Sequence, residues 1–478
     1  MSKGFISNIF LIVLLNLLIK PFYIFGIDAQ VQNQVASEEY GLYFSLLNFS
    51  FLFNIILDFG INNYNAKNIA QHPVTLLKYL GSLIGLRLVL TTVYLITTLF
   101  LALVLGYSGL GLKLLLFLGL NQVLAAFTLY FRTNFAGLHK FKVDAFLSVL
   151  DRLLLIILCG IVLYGNIVDI EINIVNFVYA QTICYFIAAL TAFLLTLKLG
   201  RSKIKIKRTI SFVLLKKSSP YALLVLLMML YTRTDAIMLE RLLIDGKQQA
   251  GIYAAGFRLL DAANIFPLLI AGILLPSFAK LIKQKEDISN LTTTSFALLF
   301  SVSTIVATLC FFHAESIISL IYTHDTSTSA AAFKWIILNF IPISTTYVFG
   351  TLLSANGSLK ALNLMAISGF ALNVILNLIL IPIYKAEGAA FATIITQTFA
   401  CTLQIILAYK IIGFKMLNKI GPKLVLLAGS IVFLNYTLSS KISFSMAILY
   451  TGMASLFLIY ILRIVRVADI KSLLKEKF

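Results

Sequence analysis

The residues of this chain that could do chemistry are charges placed inside long apolar segments. Two central segments each carry an arginine and an aspartate, Arg233 with Asp235 and Arg258 with Asp261, and Lys20 lies in the first apolar segment. Each segment is about long enough to cross a bilayer as a helix. A charge within such a helix costs roughly 3 kcal/mol, so it faces a cavity or a partner rather than lipid.

Two interpretations of these charges stay open at this point. Arg258 and Asp261 are three residues apart, which puts them on one face of a helix. They form either a structural ion pair that locks two helices or the wall of a polar cavity that binds an anionic group. The second interpretation has chemical support, because a guanidinium presents a planar fork of donors that matches phosphate.

The composition identifies the class of protein. The chain has 478 residues, of which 60% are hydrophobic and only 12% charged, and this indicates an all-α polytopic membrane protein. The net charge of +19 does not indicate nucleic-acid binding, because the basic residues lie in short loops between apolar segments. No Walker A, HExxH, CxxC or GxSxG motif is present. The sequence therefore predicts no enzyme activity, no cofactor and no metal site.

Hydropathy predicts about fourteen transmembrane helices. The first, at 5–27, is longer than a signal segment and is expected to stay in the mature protein. With the N-terminus inside, the inner segments hold 26 of the 38 Lys and Arg residues, which predicts cytoplasmic termini. The spans fall at 5–27, 40–59, 77–105, 112–131, 146–164, 174–197, 219–239, 251–275, 292–312, 333–353, 361–383, 388–409, 423–438 and 443–462.

The order of the spans suggests two related halves. A basic cytoplasmic linker at 201–217 separates a six-helix bundle at 1–200 from a second at 218–412, and 413–478 adds two helices and a tail. Gly41-Leu42-Tyr43 and Gly251-Ile252-Tyr253 open the second span of each half, and Asn54 and Asn264 share the same offset. An even number of helices per half makes this a parallel pseudo-repeat, so the halves are expected to enclose a central cleft.

The run from Gly251 to Pro276 resembles the eighth helix of the Wzx-type polysaccharide flippases, and the run from Asn373 to Gln397 resembles their C-terminal half. These flippases belong to a superfamily that includes MATE drug exporters and lipid II flippases, so the resemblance implies a MATE-like fold. It also implies a function, the export of a polyprenyl-diphosphate-linked oligosaccharide across the bacterial inner membrane by alternating access. The cargo would be a repeat unit of lipopolysaccharide O-antigen, capsule or exopolysaccharide.

This reading gives each candidate residue a role. Lys20, Arg233 and Arg258 would bind the diphosphate, Asp235 and Asp261 would orient the arginines, and Asn54 and Asn264 would bind sugar hydroxyls. The implied partners are membrane lipid, a coupling ion (a proton or sodium) and other polysaccharide assembly proteins, with no nucleic acid.

Three other functions remain open. A cation-coupled MATE-type drug exporter would need acidic residues to dominate the cavity, whereas the deep charges here are at least as basic as acidic. A membrane polymerase or glycosyltransferase would need catalytic acids in a sizeable outer loop, and the predicted outer loops are short. A structural scaffold would not need the charges inside the spans.

Overall fold

A computed structural model describes residues 14–62, 69, 75–138, 140–165, 173–200, 208–412, 417–439 and 441–464. Within these ranges every regular element is helical, and twelve stretches are long and apolar enough to cross a membrane. The all-α polytopic class predicted from the composition is confirmed. Such segments form helices because a backbone in lipid must satisfy its own hydrogen bonds.

The chain divides into two compact units, Met1–Gly251 and Ile252–Phe478. The first unit holds α1 (Leu14–Asp58), α2 (Thr75–Val104), α3 (Gly109–Gly137), α4 (Phe141–Leu147), α5 (Leu150–Tyr164), α6 (Ile174–Leu197) and α7 (Arg208–Leu242). Helix α8 (Gly246–Gln284) begins at the end of the first unit and continues in the second. The second unit also holds α9 (Ser289–Phe312), α10 (Ala314–Ile321), α11 (Thr326–Leu338), α12 (Phe340–Ala355), α13 (Leu359–Ile412), α14 (Leu417–Leu438) and α15 (Phe444–Ile461).

Helix α1 is a hairpin of two membrane-spanning limbs. Ala36 has φ 61° and ψ 173° within the helical stretch, and the Tyr40 hydroxyl donates to Asp28 at 2.6 Å. Residues twelve apart in one continuous helix would be about 18 Å apart along its axis, so the chain reverses at Ala36. The limbs 14–35 and 37–58 correspond to the first two predicted spans.

The predicted end of the first span at residue 27 is wrong by eight residues. The four polar residues from Asp28 to Asn33 suggested a loop, yet all of them are helical. The fold tolerates them because they find partners: Asp28 accepts from Tyr40, and the Gln32 amide donates to the Gly251 carbonyl at 3.0 Å. A satisfied polar group does not force the backbone out of a helix.

Helix α13 is a second hairpin of the same kind. Lys385 has φ 51° and ψ −128°, and a Cβ added to Gly388 would overlap the Leu380 carbonyl group. Eight residues of continuous helix would separate these positions by about 12 Å. The four residues between the predicted spans 361–383 and 388–409 thus form a tight turn. Twelve helical stretches, two of them hairpins, accommodate the fourteen predicted spans.

The repeated glycines have a packing role. A Cβ on Gly41 would lie 2.6 Å from the Gly251 nitrogen and would overlap the Lys247 carbonyl, and one on Gly251 would overlap the Ser37 carbonyl. Each glycine thus allows close contact between the start of the second limb of α1 and the segment 247–251 of the first unit. This contact explains why glycine stands at both positions of the repeat.

One further expectation, the basic linker at 201–217, lies partly outside the described ranges. Helix α7 begins at Arg208, inside the predicted linker, while residues 201–207 lie outside the described ranges. The division into domains at the linker stays a prediction. In the second unit α14 packs against both α9 and α15.

Candidate functional site

Arg233 of α7 is held against the second limb of α1. Its Nη1 donates to Asn48 Oδ1 at 3.3 Å, and its guanidinium carbon lies 5.4 Å from the centre of the Phe51 ring. Asn48 is itself fixed, because its Nδ2 donates to the Phe44 carbonyl at 2.7 Å. An amide oxygen and a ring face are thus two of the groups that position the arginine.

Lys20 lies at about the depth of Arg233 in the first unit. The contact between Tyr40 and Asp28 sets the pairing of the two limbs of α1, and the same pairing brings Lys20 level with Asn48. Lys20 is half-buried, and within the described ranges it makes no hydrogen bond or ion pair. The charged groups that act on it most are Arg152, Asp151 and Arg132.

The other two candidates in this unit are Asp235, which is buried, and Asn54, which is hydrogen-bonded to a neighbouring helix. Asp235 is only 1% exposed, two residues beyond Arg233. The Asn54 amide donates to Gln122 Oε1 at 2.8 Å, and the Gln122 amide donates to the Ser50 hydroxyl at 3.3 Å. The side-chain amide nitrogen of Asn54 thus joins α1 to α3. The side-chain oxygen of Asn54 is the atom that would make the predicted contact with a sugar.

The second unit carries Arg258, Asp261 and Asn264 on α8. From Gly251 to Leu260 all residues of this helix except Arg258 are buried, whereas the six residues from Asp261 are half-buried. The Asn264 Oδ1 is buried and accepts no hydrogen bond from the described residues. The roles predicted for these three residues stay predictions.

A buried carboxylate that the sequence analysis overlooked lies in the first limb of α1. Asp28 is 1% exposed, accepts from Tyr40 at 2.6 Å, and receives a longer contact from the Tyr23 hydroxyl at 3.5 Å. Ionisable groups inside spans usually mark ion, proton or substrate paths. The signal was present in the sequence, but the wrong span boundary placed Asp28 in a loop.

Arg87 lies within the predicted span 77–105 and is not one of the candidate residues named from the sequence. The structure places it 1% exposed in the first unit, with Nη2 donating to Asp58 at 2.6 Å and to Asn62 at 2.7 Å. Its Nη1 donates to the Leu57 and Ala126 carbonyls at 3.2 Å. These four bonds join α1, α2 and α3, so Arg87 is a structural anchor.

A third polar group that the sequence did not reveal joins α7 to the loop between α2 and α3. The Tyr107 hydroxyl donates to Glu240 Oε2 at 2.8 Å, and the Arg241 guanidinium carbon lies 3.4 Å from the centre of the Tyr107 ring. Arg241 also pairs with Glu240 at 2.9 Å. These contacts hold the end of α7 within the first unit.

Comparison with known proteins identifies the family. The model of the family described as polysaccharide biosynthesis protein matches residues 5–282. The chain belongs to this family. A search among curated proteins gave no match. The family members are transporters and flippases rather than enzymes, as the sequence predicted.

Solved structures show the same fold. An inward closed lipid II flippase MurJ matches with a TM-score of 0.69 at 16% identity, over 96% of this chain and 98% of that one. An inward-facing MATE family multidrug transporter matches with a TM-score of 0.66 at 14% identity, over 84% of this chain and 98% of that one. A MOP superfamily transporter from Pyrococcus furiosus matches with a TM-score of 0.60 at 14% identity, over 88% of this chain and 99% of that one. The predicted MATE-like fold is confirmed.

Proposed function

We propose that this polysaccharide biosynthesis protein is a flippase for a polyprenyl-diphosphate-linked oligosaccharide. It moves an O-antigen, capsule or exopolysaccharide repeat unit from the cytoplasmic to the outer leaflet of a bacterial inner membrane. The observation that carries the proposal is the pair of intramembrane cations Lys20 and Arg233, which lie at about one depth in the first unit. The family membership supports the same cargo.

The physical problem for such a cargo is its head group. A diphosphate and several sugars carry charge and hydroxyls that cannot enter hydrocarbon without compensation. Fixed cations within the spans compensate the phosphates, and an arginine held by Asn48 and Phe51 is already oriented to do so. Arg258 of the second unit is the other arginine to which we assign a phosphate contact, and Asp235, Asp261, Asn54 and Asn264 complete the assignment.

The drug-exporter alternative shares the fold and differs in charge. A cavity for cationic drugs requires carboxylates that exceed the bases, whereas the charges named here are at least as basic as acidic. The Pyrococcus furiosus transporter has a binding pocket of reverse polarity, which suggests a different function for that protein. Pocket charge is therefore the property by which we assign the substrate class within this fold.

Transport also needs an energy source, and the sequence contains no nucleotide-binding motif. We assign this role to an ion gradient or the membrane potential, with a proton or sodium as coupling ion. Asp28 is the buried carboxylate of the first unit best placed to take part. We also propose contact with other polysaccharide assembly proteins.

Charge variants of the two arginines test the proposal in cells. We expect Arg233→Ala and Arg258→Ala each to reduce surface glycan strongly while the protein inserts at its normal level. A charge-assisted phosphate contact contributes about 1.5–3 kcal/mol, so losing one weakens binding roughly 10- to 150-fold. Arg→Lys should restore part of the export, because charge remains but the fork is lost.

The structural-pair interpretation of Arg258 predicts a different pattern. In that case Arg258→Ala lowers the amount of protein in the membrane, and adding Asp261→Ala restores it. Surface glycan and membrane protein level are measured together to separate the two. Normal export by a stable Arg233→Ala, Arg258→Ala double variant would refute the proposal.

A further inference from the structure

Two arginines near Lys20 in the first unit, Arg132 and Arg152, have no role in the proposed function. Lys20 faces the start of α5 and the turn before it, because its neighbours on the same helix face contact them: Asn16 Nδ2 donates to the Ser148 hydroxyl at 3.1 Å, and the Tyr23 ring lies 4.6 Å from the Arg152 guanidinium carbon. Positions 16, 20 and 23 follow the spacing of one helix face. Lys20 therefore lies between the levels of Ser148 and Arg152.

Arg152 has guanidinium donors without an acceptor among the residues that the structure describes. Its guanidinium carbon lies 4.6 Å from the Tyr23 ring centre and 5.5 Å from that of Tyr185. Its sole ion pair within the described ranges is a 3.7 Å contact to its sequence neighbour Asp151, too long for a hydrogen bond. Two aromatic faces thus orient the guanidinium while its N–H groups have no hydrogen-bond acceptor among the described residues.

Arg132 extends the group toward the end of α3. Its Nε pairs with Asp144 at 2.7 Å, with 22% of the arginine side chain and 12% of the aspartate side chain exposed. Its charge acts on Lys20 together with that of Arg152. By the predicted orientation α3 ends on the cytoplasmic side, so Arg132 lies between that side and the level of Lys20.

Lys20, Arg132 and Arg152, which we call the inner cation cluster, have the carboxylates of Asp144 and Asp151 as neighbours. Asp144 pairs with Arg132 and Asp151 lies 3.7 Å from Arg152, so Lys20 has no ion-pair partner among the described residues. A third carboxylate, Asp28, accepts from the Tyr23 hydroxyl at 3.5 Å. A cation without a partner in a membrane-spanning segment is costly. About a quarter of the Arg152 side chain is exposed, so an anion can reach the unused donors.

We propose that the inner cation cluster binds a phosphate or diphosphate group in the inner half of the first unit. Lys20 and Arg152 contact the phosphate oxygens, Tyr23 and Tyr185 hold Arg152 in position, and Arg132 draws the anion from the cytoplasmic side. In terms of the proposed function, on which the choice of substrate rests, the lipid diphosphate enters this site from the side of Arg132, and Lys20 is the member of the cluster that lies level with Arg233. A lipid headgroup phosphate offers the same chemistry.

Binding of farnesyl diphosphate to the purified full chain tests the site. The chain is placed in nanodiscs of phosphatidylcholine, which carries no net charge. Lys20→Gln and Arg152→Gln should each weaken binding about 10-fold or more, and Arg152→Lys should recover part of the loss. Lys334→Gln is the matched control, because Lys334 is an exposed cation of α11 paired with Glu315, and it should bind like the wild type.

Lys20→Gln keeps the test decisive if Arg152→Gln does not fold. Lys20 makes no hydrogen bond or ion pair within the described ranges, so its replacement should leave the thermal unfolding midpoint unchanged. Wild-type affinity in a folded Lys20→Gln variant would overturn the proposal. A shift of the unfolding midpoint with unchanged affinity would assign the cluster a structural role and would overturn it equally.

A second arm separates the two sources of phosphate. If a lipid headgroup occupies the site, nanodiscs with one third phosphatidylglycerol should weaken farnesyl diphosphate binding in the wild type but not in Lys20→Gln. No effect of phosphatidylglycerol would assign the site to the transported diphosphate. Weakened binding in Lys20→Gln, beside normal export by the Arg233 and Arg258 variants, would support the site and refute the proposed cargo. Wild-type binding in Lys20→Gln, beside reduced export by the Arg233 and Arg258 variants, would refute only the site.

Discussion

At the scale of single residues, two arginines of the first unit differ in their neighbours: Arg87 is hydrogen-bonded into the fold, and Arg152 is an arginine to which we assign a ligand. Arg87 makes four hydrogen bonds and is 1% exposed. Arg152 makes none within the described ranges and is held by two tyrosine rings. Sequence alone shows both as basic residues in or near apolar spans. The difference lies in their neighbours, which come from helices distant in the chain.

The structural role of Arg87 leads to a stability prediction. Arg87→Met should lower the free energy of unfolding by about 3–5 kcal/mol, because it leaves the Asp58 carboxylate without its partner. Thermal unfolding of the detergent-purified protein measures this loss. Lys334→Met removes an exposed cation and should leave the midpoint near that of the wild type. Equal midpoints for the two variants would contradict the anchoring role.

The predicted candidate residues show how far the sequence can reach at this scale. Charge within an apolar span was the reason to name Lys20 and Arg233, and their role in binding stays a prediction. Asp28 was overlooked because polar neighbours hid the continuation of the helix. Its partner Tyr40 is brought to it by the hairpin, and no local pattern reveals that contact.

At the scale of elements, the apolar segments predicted the helices well and their ends poorly. The turn at 384–387 was predictable because the apolar run breaks there for only four residues. The end of the first span was not, because Asp28 and Gln32 find partners inside the protein. Hydropathy measures transfer to lipid, whereas a helix that faces protein can carry polar groups at little cost.

The contact of Gly41 and Gly251 gives a prediction for packing between elements. Gly41→Ala should destabilise the protein by about 1–3 kcal/mol, because the new Cβ meets backbone atoms that cannot move aside. The matched control is Gly452→Ala on α15, where an added Cβ meets nothing within 4 Å. The unfolding midpoint should fall for the first variant and hold or rise for the second. A similar midpoint for both would argue against the close contact.

At the scale of the whole molecule, a chain can keep this fold while its sequence changes almost completely. The lipid II flippase MurJ structure shares 16% of residues with this chain and still aligns over 96% of it. The fold was therefore predictable from apolar spans and loops, which many sequences satisfy. From the sequence we predict the substrate only as a charge class, because it depends on a few residues within those spans, and the shared fold does not test this prediction.

The central claim is that the fixed cations select an anionic lipid-linked sugar. Transport by the purified protein in liposomes tests it most directly, with a fluorescent polyprenyl-diphosphate oligosaccharide and, separately, a cationic dye as cargo. The account predicts that the wild type moves the lipid-linked sugar between leaflets, that Arg233→Ala does not, and that neither moves the dye. Transport of the dye without movement of the lipid-linked sugar would contradict the account and favour a drug exporter.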